Sequence, residues 1–294
     1  MRQPLQVLTL GCVLAAGHAL IAAEPATQAP QKVEQMASPR PSAVSAPKPI
    51  GVEADVYCTG WLADEPEAFP ATIVSAELVD SKDSFIEGDV LYLDAGASTG
   101  LAAGQEYWIV RPSRTVYRWE SVTDRIGRVS ETPGRVRILC VQETTAIAEI
   151  VLSCSDTRIG DRVLPFEPIP IPLVRRTPPL SSCDPKTGKV TGHIVDVHDA
   201  ITPLHIDTVV YLDIGEMDGI LPGDFVSVFR YPTSATTQVA MGEVGMPVST
   251  TANLESIRTT LGEAAILTTR KTTSVAIITS MRDTMYVGDR VELK

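Results

Sequence analysis

An internal duplication constrains the fold of this chain more than any other feature of its sequence. Residues 90–111 align without a gap to residues 209–230, and both copies keep Tyr-Leu-Asp, three glycines four residues apart and a closing arginine. A second block, residues 134–163, aligns in the same way to residues 262–291. Residues that both copies keep are expected to serve the fold, because an active site usually survives in one copy only. The duplication therefore separates architectural residues from candidates for function.

Length and composition agree with two acidic domains. The chain has 294 residues, and each repeat of about 115 residues is long enough for a small core. The net charge is −11, and the partners of nucleic acids need a basic face, so no nucleic-acid binding is predicted. The acidity also disfavours simple adsorption to anionic lipid.

Residues 1–23 have the pattern of a signal peptide. Arg2 provides the positive start, a mostly apolar stretch follows, and small residues precede Glu24, which predicts cleavage and export. The apolar stretch is short for a membrane span, so no integral span is expected after cleavage; an uncleaved anchor is the alternative. Cys12 faintly resembles a lipoprotein cysteine but is not expected to carry a lipid. The predicted location is the periplasm or the outer membrane.

The rest of the chain divides into a tether, two modules and a linker. Residues 24–50 are rich in Ala, Pro, Ser and Gln, which predicts a disordered tether. A β module 1 covers residues 51–166, and a β module 2 covers residues 183–294. Residues 167–182 form a proline-rich linker, which is predicted to be extended or to lie along a sheet edge because proline cannot donate to a sheet ladder.

Each module is predicted to consist of short strands joined by glycine turns. Alternating residues indicate a strand at 90–95, another follows at 106–111, and a β-hairpin surrounds residues 142–145. The polar stretches 112–133 and 231–261 are predicted to be long loops that contact partners. Short strands with glycine turns in a unit of this size favour a small barrel. The predicted fold class is all-β, with two tandem small β-barrel-like modules.

The residues kept in both copies are interpreted as structural turn residues. Aspartate at a strand end commonly accepts hydrogen bonds from the following turn, and glycine permits positive φ. Asp161 and Asp289 are expected to pair with the arginine that follows each of them. Arg111 and Arg230 are expected to pair with such carboxylates, or to present an anion-binding point. The predicted turn residues are Asp94, Gly96, Gly100, Gly104, Asp213, Gly215, Gly219, Gly223, Gly160, Asp161, Gly288 and Asp289.

The repeat argues against the motifs that would indicate an enzyme. Residues 96–100 match the G-x-S-x-G pattern of serine hydrolases, but that motif needs a strand-to-helix turn, and the second copy has Met217 in place of Ser98. His193 and His198 could be drawn as a metal site with nearby aspartates, yet module 1 has no histidine. No catalytic residue, metal or cofactor is therefore predicted. A hydrolase or a metal enzyme is the remote alternative.

Features found in one copy only are the candidates for a specific role. Export places four cysteines in an oxidising compartment, and a disulfide between Cys154 and Cys183 would join the two modules; unpaired cysteines are the alternative. Tyr117, Arg118 and Trp119 lie in the first predicted loop, where they could bind a glycan or peptidoglycan. Packing of that loop is the other reading of these residues.

The pattern YLDxGxxxGxxxG, followed by a hairpin and (I/V)GDRV, resembles the C-terminal domain of flagellar assembly protein T. It is similar to exported bacterial proteins that carry this domain in tandem and are often assigned a lysin-motif, peptidoglycan-binding domain. The Val-Gly-Asp turns also resemble the GD-box of cradle-loop barrels. The sequence and the resemblance together predict a non-enzymatic cell-envelope protein, either a structural or assembly scaffold or a binding module, with envelope proteins or peptidoglycan as partners.

Overall fold

Two β-barrels follow one another along the chain in the computed structural model. Both barrels lie within one unit of the chain, Ala46–Lys294. The predicted signal peptide, all but the end of the predicted tether, and parts of the linker lie outside the described residues. In the described part of the chain, no helix is long and apolar enough to cross a membrane. The structure describes residues 48–77, 79–174, 181, 186–199, 202–231 and 257–294.

The first barrel closes from six antiparallel strands, with a short seventh strand attached outside it. Its elements are α1 (Glu53–Tyr57), β1 (Trp61–Ala63), β2 (Ala71–Ala76), β3 (Val90–Leu93), β4 (Glu106–Tyr117), β5 (Arg125–Val141), β6 (Ala146–Ser153) and β7 (Arg162–Pro165). Around the barrel the strands follow the order β2-β3-β6-β5-β4-β7, and β7 pairs with β2 to close it. β1 pairs with β5 beyond the part of β5 that pairs with β6.

The second barrel repeats the first strand for strand. Its elements are β8 (Thr191–Val197), β9 (Val209–Leu212), β10 (Phe225–Arg230), β11 (Thr259–Thr269), β12 (Ser274–Met281) and β13 (Arg290–Leu293). Around the barrel they follow the order β8-β9-β12-β11-β10-β13, which matches the order of the first barrel. The predicted fold class, all-β with two tandem barrel-like modules, is confirmed.

The cores follow from the alternation of inward and outward side chains along each strand. β3 alternates between half-buried and buried residues, and its two leucines point into the first core. The matching strand β9 is buried at all four positions. Val210 and Leu212 belong to the second core, whereas Val209 and Tyr211 belong to a third apolar cluster that contains residues of both modules. The outer face of barrel 2 is therefore covered, unlike the matching face of barrel 1.

The repeated turn residues make matching contacts in the two barrels. Asp94 Oδ1 accepts a hydrogen bond from the Thr72 N–H at 2.6 Å, and Asp213 Oδ1 accepts one from the His193 N–H at 2.6 Å. A Cβ on Gly96 or Gly215 would lie within 2.4 Å of a backbone carbonyl oxygen, so only glycine fits these two positions. The other repeated glycines have positive φ, and they are Gly100, Gly104, Gly160, Gly219, Gly223 and Gly288.

An arginine in each barrel binds the aspartate of the following Gly-Asp turn. Arg111 donates from Nε and Nη2 to Asp161 at 2.7 Å, and Arg230 donates from the same atoms to Asp289 at 2.7 and 2.8 Å. Both aspartate side chains are only 4% exposed, so these two-point contacts tie β4 and β10 to their turns. The expected pairing of the aspartates with the arginine next in sequence is not seen, because in a strand that arginine points away from the turn; Arg162, for example, stacks on a phenylalanine.

The prediction of a long loop at residues 112–133 is wrong. β4 continues to Tyr117 and β5 begins at Arg125, so only residues 118–124 connect the two strands. This part of the hairpin extends beyond barrel 1, and its few apolar side chains, such as Val116 and Val129, pack in the cluster shared with barrel 2. Its mostly polar composition therefore resembles that of a loop. Of the second predicted loop, residues 232–256 lie outside the described residues, and β11 begins at Thr259.

The predicted disulfide partner is also wrong. Cys154 is joined to Cys58, at a Cα–Cα distance of 5.3 Å, and not to Cys183. The physical reason is that the end of α1 lies against the end of β6, which brings together two cysteines 96 residues apart. Cys140 is free and exposed, and Cys183 lies outside the described residues.

Candidate binding site between the two barrels

An N-terminal arm, residues 53–67, lies between the two barrels. It contains α1 and β1, and Cys58 ties it to barrel 1 through the disulfide. Trp61 and Leu62 pair with β5, and both side chains are buried in the cluster that includes Tyr211 of barrel 2. The arm is therefore bonded to barrel 1 and packed against barrel 2.

Two buried hydrogen bonds from barrel 2 position the backbone of this arm. The Tyr211 hydroxyl donates to the Thr59 carbonyl oxygen at 2.6 Å, and the Thr273 hydroxyl donates to the Leu62 carbonyl oxygen at 2.7 Å. Burial raises the pKa of Tyr211, so its hydroxyl keeps its proton and remains a donor at neutral pH. A buried carbonyl needs a partner, and these two bonds therefore specify where the arm lies.

The hairpin tip, residues 118–124, contacts barrel 2 directly. Arg118 Nη1 donates to Asp213 Oδ2 at 2.9 Å. The Trp119 ring lies against Gly288, so that a Cβ on this glycine would be 2.4 Å from the ring. Two of the three predicted binding residues thus contact barrel 2 while staying about half exposed, with Trp119 at 47% and the Arg118 side chain at 50%. Tyr117, the third, is 45% exposed at the end of β4.

Asp213 is the charged centre of this contact. Burial would raise the pKa of its carboxyl, but the His193 side chain 3.5 Å away, the His193 backbone N–H and the charge of Arg118 hold the pKa below its ordinary value of 3.8. The carboxylate is therefore ionised at neutral pH, although its side chain is 3% exposed. Arg114 adds a second ion pair between the barrels, and its Nε donates to Asp196 at 2.7 Å.

A cleft of about 710 Å³ opens beside the arm, between the two barrels. This volume suits a small ligand or a few side chains of a peptide. Its inner wall includes the buried aromatic residues Trp61 and Trp108. Its charged lining residues are mostly acidic, and they are Asp64, Glu65, Glu67, Glu167, Glu216, Arg270 and Lys271.

The contacts of the lining residues indicate what the cleft could bind. Glu67 accepts hydrogen bonds from Trp61 Nε1 at 2.8 Å and from the Ser130 hydroxyl at 2.9 Å, so it is a structural carboxylate. Arg270 stacks on the Trp61 ring at 4.4 Å, which covers that ring. Glu167 is exposed and has no ion-pair partner among the described residues. Glu65 is paired with Lys271 at 2.8 Å, and Asp64 accepts hydrogen bonds from Thr272. Glu167 and Glu216 are therefore the carboxylates of the lining that can receive a cationic group, whereas the buried Trp61 and Trp108 offer no open stacking platform.

The residues considered for catalysis or metal binding lie in separate places. Ser98 is exposed in a 3₁₀ turn between two strands, without the strand-to-helix turn of a serine hydrolase. His193 Nδ1 is 3.5 Å from Asp213 Oδ2, His198 Nδ1 is 3.4 Å from the Tyr211 hydroxyl, and His205 Nδ1 is 2.8 Å from a backbone carbonyl oxygen. Within the described ranges, no group of three or more His, Cys, Asp or Glu side chains could hold a metal ion.

Sequence reasoning missed the interface between the barrels, although a signal was present. Ala265 and Ile277 are buried in the shared cluster, and they occupy the positions of Arg137 and Glu149 in the first copy. An outward-facing position that is apolar in one copy and charged in the other indicates a face that only one copy covers. Comparison of the two copies therefore indicates which face of barrel 2 is covered.

The chain matches no protein-family model and no curated protein sequence.

Proposed function

We propose that the protein is a non-enzymatic exported protein of the cell envelope that acts as a scaffold or binding module. The observation that most supports this is that the repeated polar residues serve the fold. The carboxylates that both copies keep accept hydrogen bonds from the backbone or from arginine within turns, and they serve the architecture. The signal-peptide pattern and the resemblance to tandem domains of exported bacterial proteins support the envelope location.

The cleft between the barrels is the binding surface in this proposal. The arm, β4 and the hairpin tip hold the barrels together through buried apolar contacts and buried hydrogen bonds. Four ion pairs add to these contacts, namely Glu65–Lys271, Glu67–Arg270, Arg114–Asp196 and Arg118–Asp213. A cleft between two joined domains keeps its shape, which lowers the ordering cost of binding. Its excess of carboxylates favours a partner segment that carries lysine or arginine.

Cell fractionation with crosslinking tests the proposal. The full chain is expected in the periplasmic or outer-membrane fraction, crosslinked to an envelope partner. Glu167→Lys with Glu216→Lys reverses two exposed charges in the cleft and should abolish the crosslink. Asp83→Lys with Glu87→Lys makes the same charge change at exposed positions outside the cleft, and this control should keep it.

Two outcomes would contradict the proposal. Retention of the protein in the cytoplasm would exclude the envelope role. Equal recovery of partners with the cleft variant and the control would exclude the cleft as the binding surface. Peptidoglycan binding through the hairpin tip would instead be recognised by co-sedimentation with sacculi that Trp119→Ala abolishes.

A further inference from the structure

Barrel 1 has a face that corresponds to the face on which barrel 2 receives the hairpin tip. In barrel 2, Asp213 binds the β8 backbone from one side and the Gly288 N–H binds it from the other, at 2.6 and 2.7 Å. In barrel 1, Asp94 and Gly160 flank β2 in the same way, at 2.6 and 2.8 Å. The duplication thus places the same carboxylate and the same glycine on both faces.

The two faces differ in what covers them. In barrel 2, Arg118 of the hairpin tip and the His193 ring lie against the Asp213 side chain, which is 3% exposed, and Trp119 occupies the space above Gly288. In barrel 1, Asp94 is exposed, and a Cβ built on Gly160 would meet nothing within 4 Å. The barrel 1 face is therefore open in the described part of the chain.

Apolar side chains border the open face. Val74 of β2 is 48% exposed, and Ile159, next to Gly160, is 42% exposed. Val287 stands at the position of Ile159 in the second copy, and there it is partly buried against the core. A carboxylate beside exposed apolar groups and a bare glycine backbone suits an arginine together with a flat aromatic ring, the side chains that most often anchor protein interfaces.

We propose that this face, formed by Val74, Asp94, Ile159 and Gly160, docks a β-hairpin of a partner protein that carries an arginine next to an aromatic residue. The arginine pairs with Asp94, and the aromatic ring lies on Gly160 between the two apolar side chains. This face is independent of the cleft, because the internal duplication and the occupation of barrel 2 define it.

A peptide from this chain provides the probe. A cyclised peptide of residues 112–129 contains the hairpin tip that occupies the matching face of barrel 2. Fluorescence anisotropy of the labelled peptide with the full-length protein should show saturable binding. Asp94→Asn with Ile159→Lys should weaken it at least tenfold, and Arg118→Glu in the peptide should have a similar effect. Asp94→Asn keeps the Oδ1 acceptor of the β2 backbone, and Ile159→Lys changes an exposed side chain, so each variant can also be tested alone.

Leu221→Lys is the control, because Leu221 is 58% exposed on the other barrel, and it should leave peptide binding unchanged. Three results would overturn the proposal: no saturable binding, binding that the Asp94 and Ile159 changes do not weaken, or weakening by Leu221→Lys to the same degree. Self-association of the protein that Ile159→Lys abolishes would identify a second copy of this chain as the occupant, and would also overturn it in this form.

Discussion

Removal of the Tyr211 hydroxyl tests whether the N-terminal arm is a fixed part of the fold. Tyr211 is 0% exposed, and its hydroxyl donates to the Thr59 carbonyl oxygen at 2.6 Å. Tyr211→Phe keeps the ring and its packing, but it leaves this carbonyl without its donor in a buried environment. A buried polar group without a partner costs about 1–3 kcal/mol, so we expect the free energy of unfolding to fall by about 2 kcal/mol.

Tyr107→Phe is the matched control, because it removes the same atom from a tyrosine of barrel 1. The Tyr107 hydroxyl donates to the exposed side chain of Gln105 at 2.9 Å, so water can replace it and the loss should be about 1 kcal/mol or less. Urea unfolding followed by tryptophan fluorescence measures both variants, since Trp61 and Trp108 lie in the shared cluster. Equal losses, or a loss below about 0.5 kcal/mol for Tyr211→Phe, would refute the reasoning.

Three further predictions concern the contacts between the arm, the hairpin tip and the barrels. Replacing Cys58 and Cys154 by alanine removes a cross-link between residues 96 apart and should lower the free energy of unfolding by about 4 kcal/mol; an unchanged melting temperature would contradict this. Gly160→Ala and Gly288→Ala strain matching turns with φ of +95° and +100°, which should lower the free energy of unfolding by about 1–2 kcal/mol each. Gly288→Ala should lower it further, because its Cβ meets the tryptophan ring of the hairpin tip. Equal losses in thermal unfolding would argue against the docking of the tip. The pKa of Asp213 is lowered in the folded state, so its stabilisation is present above its ordinary value of 3.8 and is lost as the pH falls through the lower folded pKa. In urea unfolding, Asp213→Asn should therefore lose less stability than the native chain over that acidic range, and identical pH profiles would contradict this assignment.

The repeated elements of the fold could be predicted from the sequence because their signals are local. The strand at residues 90–95 and the hairpin around residues 142–145 follow from alternation and turn composition, and the structure has β3 and the β5–β6 hairpin there. The glycines at 100 and 219 were identified by their spacing, and their positive φ is a property of the turn itself.

The candidate site could be predicted only in part. The sequence indicates Arg118 and Trp119 only as features of one copy, and their contact with Asp213 and Gly288 does not follow from it. The strands beyond barrel 1 have the composition of a loop, because they have no core of their own to impose alternation. Their apolar contacts come from barrel 2, and local composition does not indicate which distant surface a strand will meet.

The sequence by itself determined two barrel-like β modules and their glycine turns, because strand alternation and backbone conformation depend on near neighbours. Only the tertiary structure decided how one module covers the other. The hydrogen bond from Tyr211 to Thr59 joins residues 152 apart, and the disulfide joins residues 96 apart. Such pairs form because burial of the outer face of barrel 2 against the arm removes apolar surface from water. The free energy gained by this burial depends on the surfaces of both folded barrels, and the sequence of one copy does not indicate the shape of the other.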